Sequence, residues 1–492
     1  MLVTVNAQQS IWEAILPPEA LRLPDDLERV DALLDDSAFF DPYFKHFSLF
    51  YGRPSIPMET YIRLMFLKFK YRLSYEVLCS EVSDSLSWRR FCRISLDGRV
   101  PHPTTLIKIT GRCNGAVEEL NEILLAKAAE KKVIRLDKVR VDSTVVEANV
   151  SYPNDAGLLA KSVKRINRLI ERIHDAGGAP RTKIRNRSRS AGRRVRSLLS
   201  KIKGRTEEAK NRVRSINAEL VDIAVTTAND AEAILRNTRR QLQKAGPFAT
   251  AKLRSLVDDL EVTISRTHKI AEQTTKRING ETVEGATRLV SLHDPDARPI
   301  VKGRLGKPVE FGYKAQVVDN ADGIVIDHSV HIGNPNDAGL LLPSIKRIAK
   351  RFNKVPKDVT ADRGYEDSNV EAELIAIGVK NVVIPKKGKI TPERRELQNT
   401  RKFKRLVKWR TGIEGRISVL KNSYEMDRTM MDGHAGAQSW CGLSILCHNA
   451  IKIGRLVEEK EQRDVKRSAT RKHNATAKQS KAPPNNNQNR AA

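Results

Sequence analysis

Three acidic residues that lie far apart in the chain, Asp142, Asp362 and Glu414, have the types and settings from which a phosphodiester-cutting site could be assembled. Asp142 ends the β-branched run Val139-Arg-Val-Asp142. Asp362 ends a second strand-like run, Val359-Thr-Ala-Asp362, and is followed by Arg363-Gly-Tyr365. Glu414 lies in Trp409-Arg-Thr-Gly-Ile-Glu414-Gly-Arg-Ile-Ser-Val-Leu-Lys421, which reads as one helix. At helical pitch Arg410, Glu414 and Lys421 fall at relative angles of about 0°, 40° and 20°, so they share a face. Ile413, Ile417 and Leu420 form the neighbouring apolar stripe that would bury this helix. A carboxylate held beside two cations suits a metal site that must also grip phosphate. Cutting a phosphodiester at neutral pH needs an activated water or hydroxyl and compensation for charge on the leaving oxygen. Two Mg²⁺ ions about 3.5–4 Å apart supply both. A set of carboxylates without histidine or cysteine suits that hard ion, with Mn²⁺ as a substitute.

Taken singly, each acid has a plainer reading, because an aspartate after a β-run is ordinarily a turn or cap residue. It is the joint placement that singles them out. Asp137, Glu147, Asp294, Asp296 and Glu366 are the competing carboxylates, of which Asp294 and Asp296 read as loop or supporting residues. Arg410 and Lys421 could pair with Glu414 along the helix. Phosphate contact is favoured, since a carboxylate engaged by metal leaves its neighbouring cations free. His328 and His331 read as sheet-surface residues, and Cys447-His448 as core packing in the last helix.

The elements that must position these residues follow from patterning. The chain of 492 residues is long enough for two to four domains. Residues 15–130 read as short helices, among them Ile56–Lys68 and Ser74–Val82, before the breaker Val100–Thr105, and form a helical amino-terminal module for DNA binding or dimerisation. From Leu158 the period lengthens: Leu159, Val163, Ile166, Ile170 and Ile173 step by four and three, a heptad seam. A second seam runs through Val195, Leu199, Ile202, Ala209, Val213, Ile216, Leu220 and Ile223, and a third helix carries Leu253, Leu256 and Leu260. Residues 158–285 are therefore expected to form an inserted antiparallel arm of two or three long helices. Within it, residues 161–214 carry nineteen Lys/Arg and four Asp/Glu, densest at Arg185, Arg187, Arg189, Arg193, Arg194 and Arg196. So self-repelling a run could order only on DNA. Beyond the arm the period becomes two. Phe311–Val318 and Ile324–His331 flank Asp319–Gly323 as a hairpin, and strands near Asp362 and at Asn381–Pro385 alternate with helices at 337–352 and 369–377. The tail, 456–492, is polar and expected to be disordered.

The element order β-(arm)-β-β-α-β-α-β-α, with carboxylates on the first and fourth strands and the last helix, resembles the RNase H-like core of bacterial insertion-sequence transposases of the Asp-Asp-Glu type. Arg410-x3-Glu414-x6-Lys421 matches three of four positions of that family's Tyr-x2-Arg-x3-Glu-x6-Lys motif, with Val407 at the tyrosine position. Asp362-Arg-Gly-Tyr365, Phe311-Gly-Tyr-Lys-Ala-Gln316 and Asp294-Pro-Asp-Ala-Arg298 look like its recurring phrases, and residues 40–110 resemble its amino-terminal module. The resemblance implies an α/β fold, an RNase H-like mixed sheet at 131–157 and 286–455 interrupted by the arm, behind an all-helical amino-terminal domain. It implies Asp142, Asp362 and Glu414 as catalytic metal ligands, Asp142 bridging two Mg²⁺. Arg363, Arg410, Lys421 and the arm arginines are then expected to contact DNA. The implied partners are the element's terminal inverted repeats and target DNA, bound by a homodimer or a higher assembly.

Charge agrees: Lys+Arg number 88 against 59 Asp+Glu, a net charge of +29, and so basic a chain ordinarily meets a polyanion. There is no 18-residue apolar span, no secretory leader pattern and no Cys-x-x-Cys among five cysteines, from which a cytoplasmic, nucleoid-associated, membrane-free and reducing location is expected. A non-catalytic coiled-coil DNA organiser would explain charge and arm but would not need the three acids. A stand-alone RNase H-like nuclease would share the acids but release cut products without strand joining.

Overall fold

The computed structural model describes residues 1–5, 22–151, 154–201, 206–244, 251–302 and 308–479, with 15, 17 and 19 besides. The chain is a mixed α/β protein built round one seven-stranded sheet. Its middle strand, β1 (Lys138–Ala148), buries Val139, Val141, Val145 and Val146. On one side β1 runs antiparallel to β3 (Val309–Asn320), whose far edge carries β2 (Arg298–Val301) and β4 (Val325–Ile332) in succession. The β3–β4 hairpin turns at Gly323, whose φ of +81° is one glycine adopts without strain. On its other side β1 runs parallel to β5 (Asp358–Thr360), which pairs with β6 (Asn381–Val383). On that same side β7 (Arg428–Thr429) pairs parallel with Glu147 and Ala148. Strand partners therefore flank β1 at 138–140 and 147–148, and among the described residues none fills the interval between. Asp142 lies in that opening, in mid-strand rather than at a strand end.

Among the described residues, six α-helices and a 3₁₀ helix (Ser37–His46) precede the sheet: α1 (Asp25–Leu34), α2 (Met58–Tyr71), α3 (Tyr75–Asp84), α4 (Leu86–Phe91), α5 (Pro103–Arg112) and α6 (Ala116–Glu130). The Val100–Thr105 breaker is the start of α5, with Pro103 in the first turn, where its missing N–H costs nothing. These helices are not a separate layer. Leu27, Met65 and Leu124 belong to the same continuous core as Val139, Val317 and Trp440. Lys68 on α2 reaches Glu425 at 2.6 Å beneath the Trp440 ring, tying the amino-terminal helices to the carboxy-terminal ones.

The arm comprises four helices: α7 (Asp155–Asp175), α8 (Ser188–Lys201), α9 (Glu207–Gln243) and α10 (Ala251–Ile278). The first heptad seam is borne out, its five residues all buried. The second is not a single helix: it divides into α8 and α9, with Leu198 buried where Leu199 was expected and Leu199 exposed; Ile202 lies outside the described residues. Two apolar cores, one round Ile170, Ile234 and Leu256 and one round Leu159, Leu220 and Ile270, satisfy the seams within the arm itself. Within the basic stretch, residues 161–175, 188–201 and 207–214 are helical. At the arm's base the buried Asp155 meets Arg277 at 2.5 Å and Arg288 at 3.6 Å.

After β4 come α11 (Asp337–Phe352), α12 (Ser368–Ala376), α13 (Pro392–Asn399), α14 (Arg401–Arg410), α15 (Gly412–Ser423) and α16 (Gly433–Gln479). The last departs from expectation, because residues 456–479 continue the helix instead of being disordered. No glycine or proline interrupts 455–482, and residues 458–467 alternate acids and bases of good helix propensity. The rest of the expected tail lies outside the described residues.

Candidate active site

Register brings the two aspartates together. Lys138 pairs with Asp358, Val139 with Val359 and Arg140 with Thr360. Beyond that ladder Asp142 and Asp362 follow two residues on, in the same direction, and lie close enough for Asp362 to raise the Asp142 pKa. Asp362 is still extended (φ −80°, ψ 178°), and its Oδ1 accepts the Gly364 N–H at 2.8 Å to start a short 3₁₀ turn, Arg363–Tyr365. By strand alternation the two carboxylates share the sheet face that also carries Arg140.

Arg140 explains why the segment after Trp409 is not one helix. Its guanidinium grips the buried Asp319 through Nε and Nη2 at 2.6 and 2.9 Å, and Nη1 donates to the Trp409 carbonyl at 2.9 Å. A Cβ on Gly412 would lie 2.2 Å from that same Nη1. The sheet thus captures a carbonyl at the end of α14, and the chain restarts as α15 at a residue with no side chain. Arg410 ends α14 and Glu414 lies in the first turn of α15. Across the break Arg410 reaches Asp142 at 3.7 Å and Glu414 at 3.6 Å. One guanidinium therefore stands between two of the three acids.

The electrostatics are those of a site short of positive charge. Asp142 is pushed up to about 6 by burial, with Asp362 and Glu414 adding to the rise against the Ser143 N–H and Arg410. Glu414 is mostly exposed. As arranged, no three His, Cys, Asp or Glu side chains among the described residues stand within reach of one ion.

The other candidates separate. Lys421 does not face outward beside Glu414: half-buried, it donates to the Val145 carbonyl at 2.6 Å, and burial holds its pKa below the usual lysine value. It satisfies a backbone acceptor in the strand opening of β1. Arg363 is exposed beside Asp362. In the arm, Arg187 pairs with Asp230 at 2.6 Å and Arg194 with Glu219 at 3.0 Å, both internal to the bundle, whereas Arg185, Arg189, Arg193 and Arg196 are exposed. Asp294 is buried under the Tyr313 hydroxyl and takes the Gly433 and Ala297 N–H groups, and Asp296 takes that of His434. Both fasten the start of α16, in keeping with a supporting role. His331 bonds Ser329 on β4, two strands from Asp142. Val407 packs with Phe403, Leu406 and Val383.

Sequence reasoning missed the buried Arg140–Asp319 pair and also Asp337. Asp337 pairs with Lys314 at 2.8 Å, and its Oδ2 would lie 3.4 Å from a Cβ on Gly364, where Asp362 Oδ1 would lie at 2.9 Å. Only glycine leaves room for both carboxylates there. No local pattern announces either feature, since each pairs residues from distant segments.

Two family models match the chain: "Transposase domain (DUF772)" over residues 14–112 and "Transposase DDE domain" over residues 289–450. The first covers helices α1 to α5, and the second contains Asp362 and Glu414. No curated protein and no solved structure matches. With both domains on one polypeptide, the chain belongs to the insertion-sequence transposases of the DDE type.

Proposed function

We propose that Asp142, Asp362 and Glu414 form the catalytic centre of an RNase H-like core, which hydrolyses a phosphodiester at the element's end and then joins the freed 3′ end to target DNA. The observation that carries this reading is the juxtaposition of Asp142 and Asp362 by register, with Arg410 bridging Asp142 to Glu414. Asp142 lies outside the matched DDE segment, yet β1 makes it the middle-strand neighbour of Asp362.

The donor set fits divalent cations. It offers carboxylates alone, one of them driven toward protonation first by burial and then by the two neighbouring acids. Asp142, Asp362 and Glu414 would hold the two Mg²⁺ ions; Mn²⁺ would substitute. When bound, the ions would supply Lewis acidity that eases formation of the nucleophile and offsets charge on the departing oxygen. The chain's own groups do the rest. The strand opening of β1 holds Asp142 rigidly, the Gly364 N–H orients Asp362, and Glu414 turns away from Arg410 to close the site. Arg410, so released, is placed to take a phosphate oxygen. In the first step water attacks phosphorus and the P–O3′ bond breaks, leaving a 3′ hydroxyl. In the second that hydroxyl attacks a target phosphodiester and expels the target's own 3′ oxygen, so bonds are exchanged without ATP. Arg363 and the four exposed arm arginines would hold flanking duplex by its backbone, in a dimer or larger assembly on DNA, in the bacterial cytoplasm.

The test is nicking and joining of DNA carrying the element's ends, with Mg²⁺ or Mn²⁺. Asp142→Asn, Asp362→Asn and Glu414→Gln should each abolish cleavage while DNA binding persists. Full cleavage by any one variant would remove that residue from the site.

A further inference from the structure

Helix α14 has the sequence Arg401-Lys-Phe-Lys-Arg-Leu-Val-Lys-Trp-Arg410, without one acidic residue. Phe403, Leu406 and Val407 turn inward onto Val383 of β6. At helical pitch Arg401, Lys404, Arg405 and Lys408 fall within about 100° of arc on the opposite side. All four are exposed, and among the described residues no carboxylate pairs with any of them. Their neighbours are paired: Lys402, on the flank, meets Asp358 at 3.6 Å, and Arg394 of α13 meets Glu371 at 2.8 Å. Like charges four residues apart, Arg401 with Arg405 and Lys404 with Lys408, each cost about 0.2–0.5 kcal/mol in an isolated helix. The fold carries that cost on a helix whose apolar contacts are a small patch and whose end is held by Arg140 at the Trp409 carbonyl. The stripe also has a direction. It runs toward Arg410, whose guanidinium lies between Asp142 and Glu414. At 1.5 Å per residue, Lys408 and Arg401 stand about 3 and 14 Å back from it along the axis.

We propose that Arg401, Lys404, Arg405 and Lys408 form a backbone track that seats duplex DNA beside the bond to be cut. The reading rests on the assignment of the acids above. The occupant is a phosphate backbone because four unpaired cations in a row match a row of phosphates, and no amide or hydroxyl side chain stands among them to read adenine. Its length matches two to three successive phosphates, so it would align one strand with the acids whatever the sequence. A fixed track on the sheet edge differs in kind from the arm's arginines, which lie on an insertion.

The experiment compares the whole protein with two fourfold variants, one changing the four residues to glutamine and one preserving charge (Arg401→Lys, Lys404→Arg, Arg405→Lys, Lys408→Arg). Affinity for a labelled end-bearing duplex is measured against salt in EDTA, where no cutting occurs. The glutamine variant should lower the slope of log K against log salt by about 2–3, at about 0.9 per phosphate contact, and the charge-preserving variant should retain it. An iron chelate tethered to Lys404→Cys should break one strand within about a helical turn of the nick. Equal slopes in all three proteins, or tethered breaks only far from the nick, would overturn the track. Nicking by the parent protein in Mg²⁺ is assayed alongside. Its absence would sink the assignment of the acids while leaving the slopes to judge the track.

Discussion

At the scale of single residues, the two cations flanking Glu414 have parted company. Arg410 stands between Asp142 and Glu414, so Arg410→Ala should leave Mn²⁺ affinity unchanged or tighter by calorimetry while cleavage falls at least about tenfold. Weaker Mn²⁺ binding would instead mean that the guanidinium orders the acids. Lys421 is a structural donor to Val145. Replacing it with methionine strands a carbonyl in the opening of β1, an effect of about 1–3 kcal/mol. Thermal melting should fall accordingly, and the salt slope of DNA binding should stay put. A slope lower by about 0.9 with unchanged melting would restore Lys421 to the phosphate contacts.

At the scale of elements, the break between α14 and α15 and the base of the arm are the two joints on which the site depends. Gly412→Ala would drive a methyl into Arg140 Nη1, whereas at Gly415, one turn on, a Cβ meets nothing within 4 Å. Gly415→Ala should therefore be neutral or stabilise by up to about 1 kcal/mol. Gly412→Ala should weaken cleavage at least about tenfold in protein that still folds. Comparable activity in the two variants would mean that the break does not set the position of Glu414. At the arm, Asp155→Asn removes the charge that gathers Arg277 and Arg288. Asp155 is buried while both arginines are partly exposed, and the expected loss is about 1–3 kcal/mol. Hydrogen exchange should rise at 279–292 before it rises in the sheet; uniform protection would show that the apolar contacts alone hold the arm.

At the scale of the molecule, stability carries a pH dependence from a buried histidine. His448 on α16 sits against Tyr424, its Nε2 bonded to the Gly323 carbonyl at 3.1 Å and its Nδ1 buried without a partner. Burial, with Arg416 nearby, pushes its pKa down to about 4. Unfolded, the ring takes up a proton near 6.5. Between those values the unfolded chain binds more protons, so stability is full above pH 6.5 and falls as pH drops toward 4, by about 3 kcal/mol at the lower end. Melting of the parent should drop between pH 6.5 and 5. His448→Gln should melt lower at pH 7.5 yet fall less over that interval, and parallel curves would assign the acid loss to other groups.

Several elements were legible in the chain because they rest on local periodicity. The β3–β4 hairpin announces itself by period two and an Asp-Asn-Ala-Asp-Gly turn, and α11 spans Asp337–Phe352 as its pattern predicts. The first arm seam is buried as the heptad requires. Arg410 and Glu414 share a face as the wheel predicts, across a one-residue interruption at Thr411 where Arg140, some 270 residues earlier, takes the Trp409 carbonyl. What failed were inferences that extended a local pattern past a point set by distant partners. Lys421 follows the wheel as well, yet the missing strand partner at Val145 draws it inward. Six arm arginines look alike in sequence, and only the packing of α8 on α9 decides that two of them serve the bundle. Side-chain type and spacing along one element are properties of the chain. Which backbone group lacks a partner, and which charge reaches it, is a property of surfaces brought together by folding, and tertiary structure alone decides it.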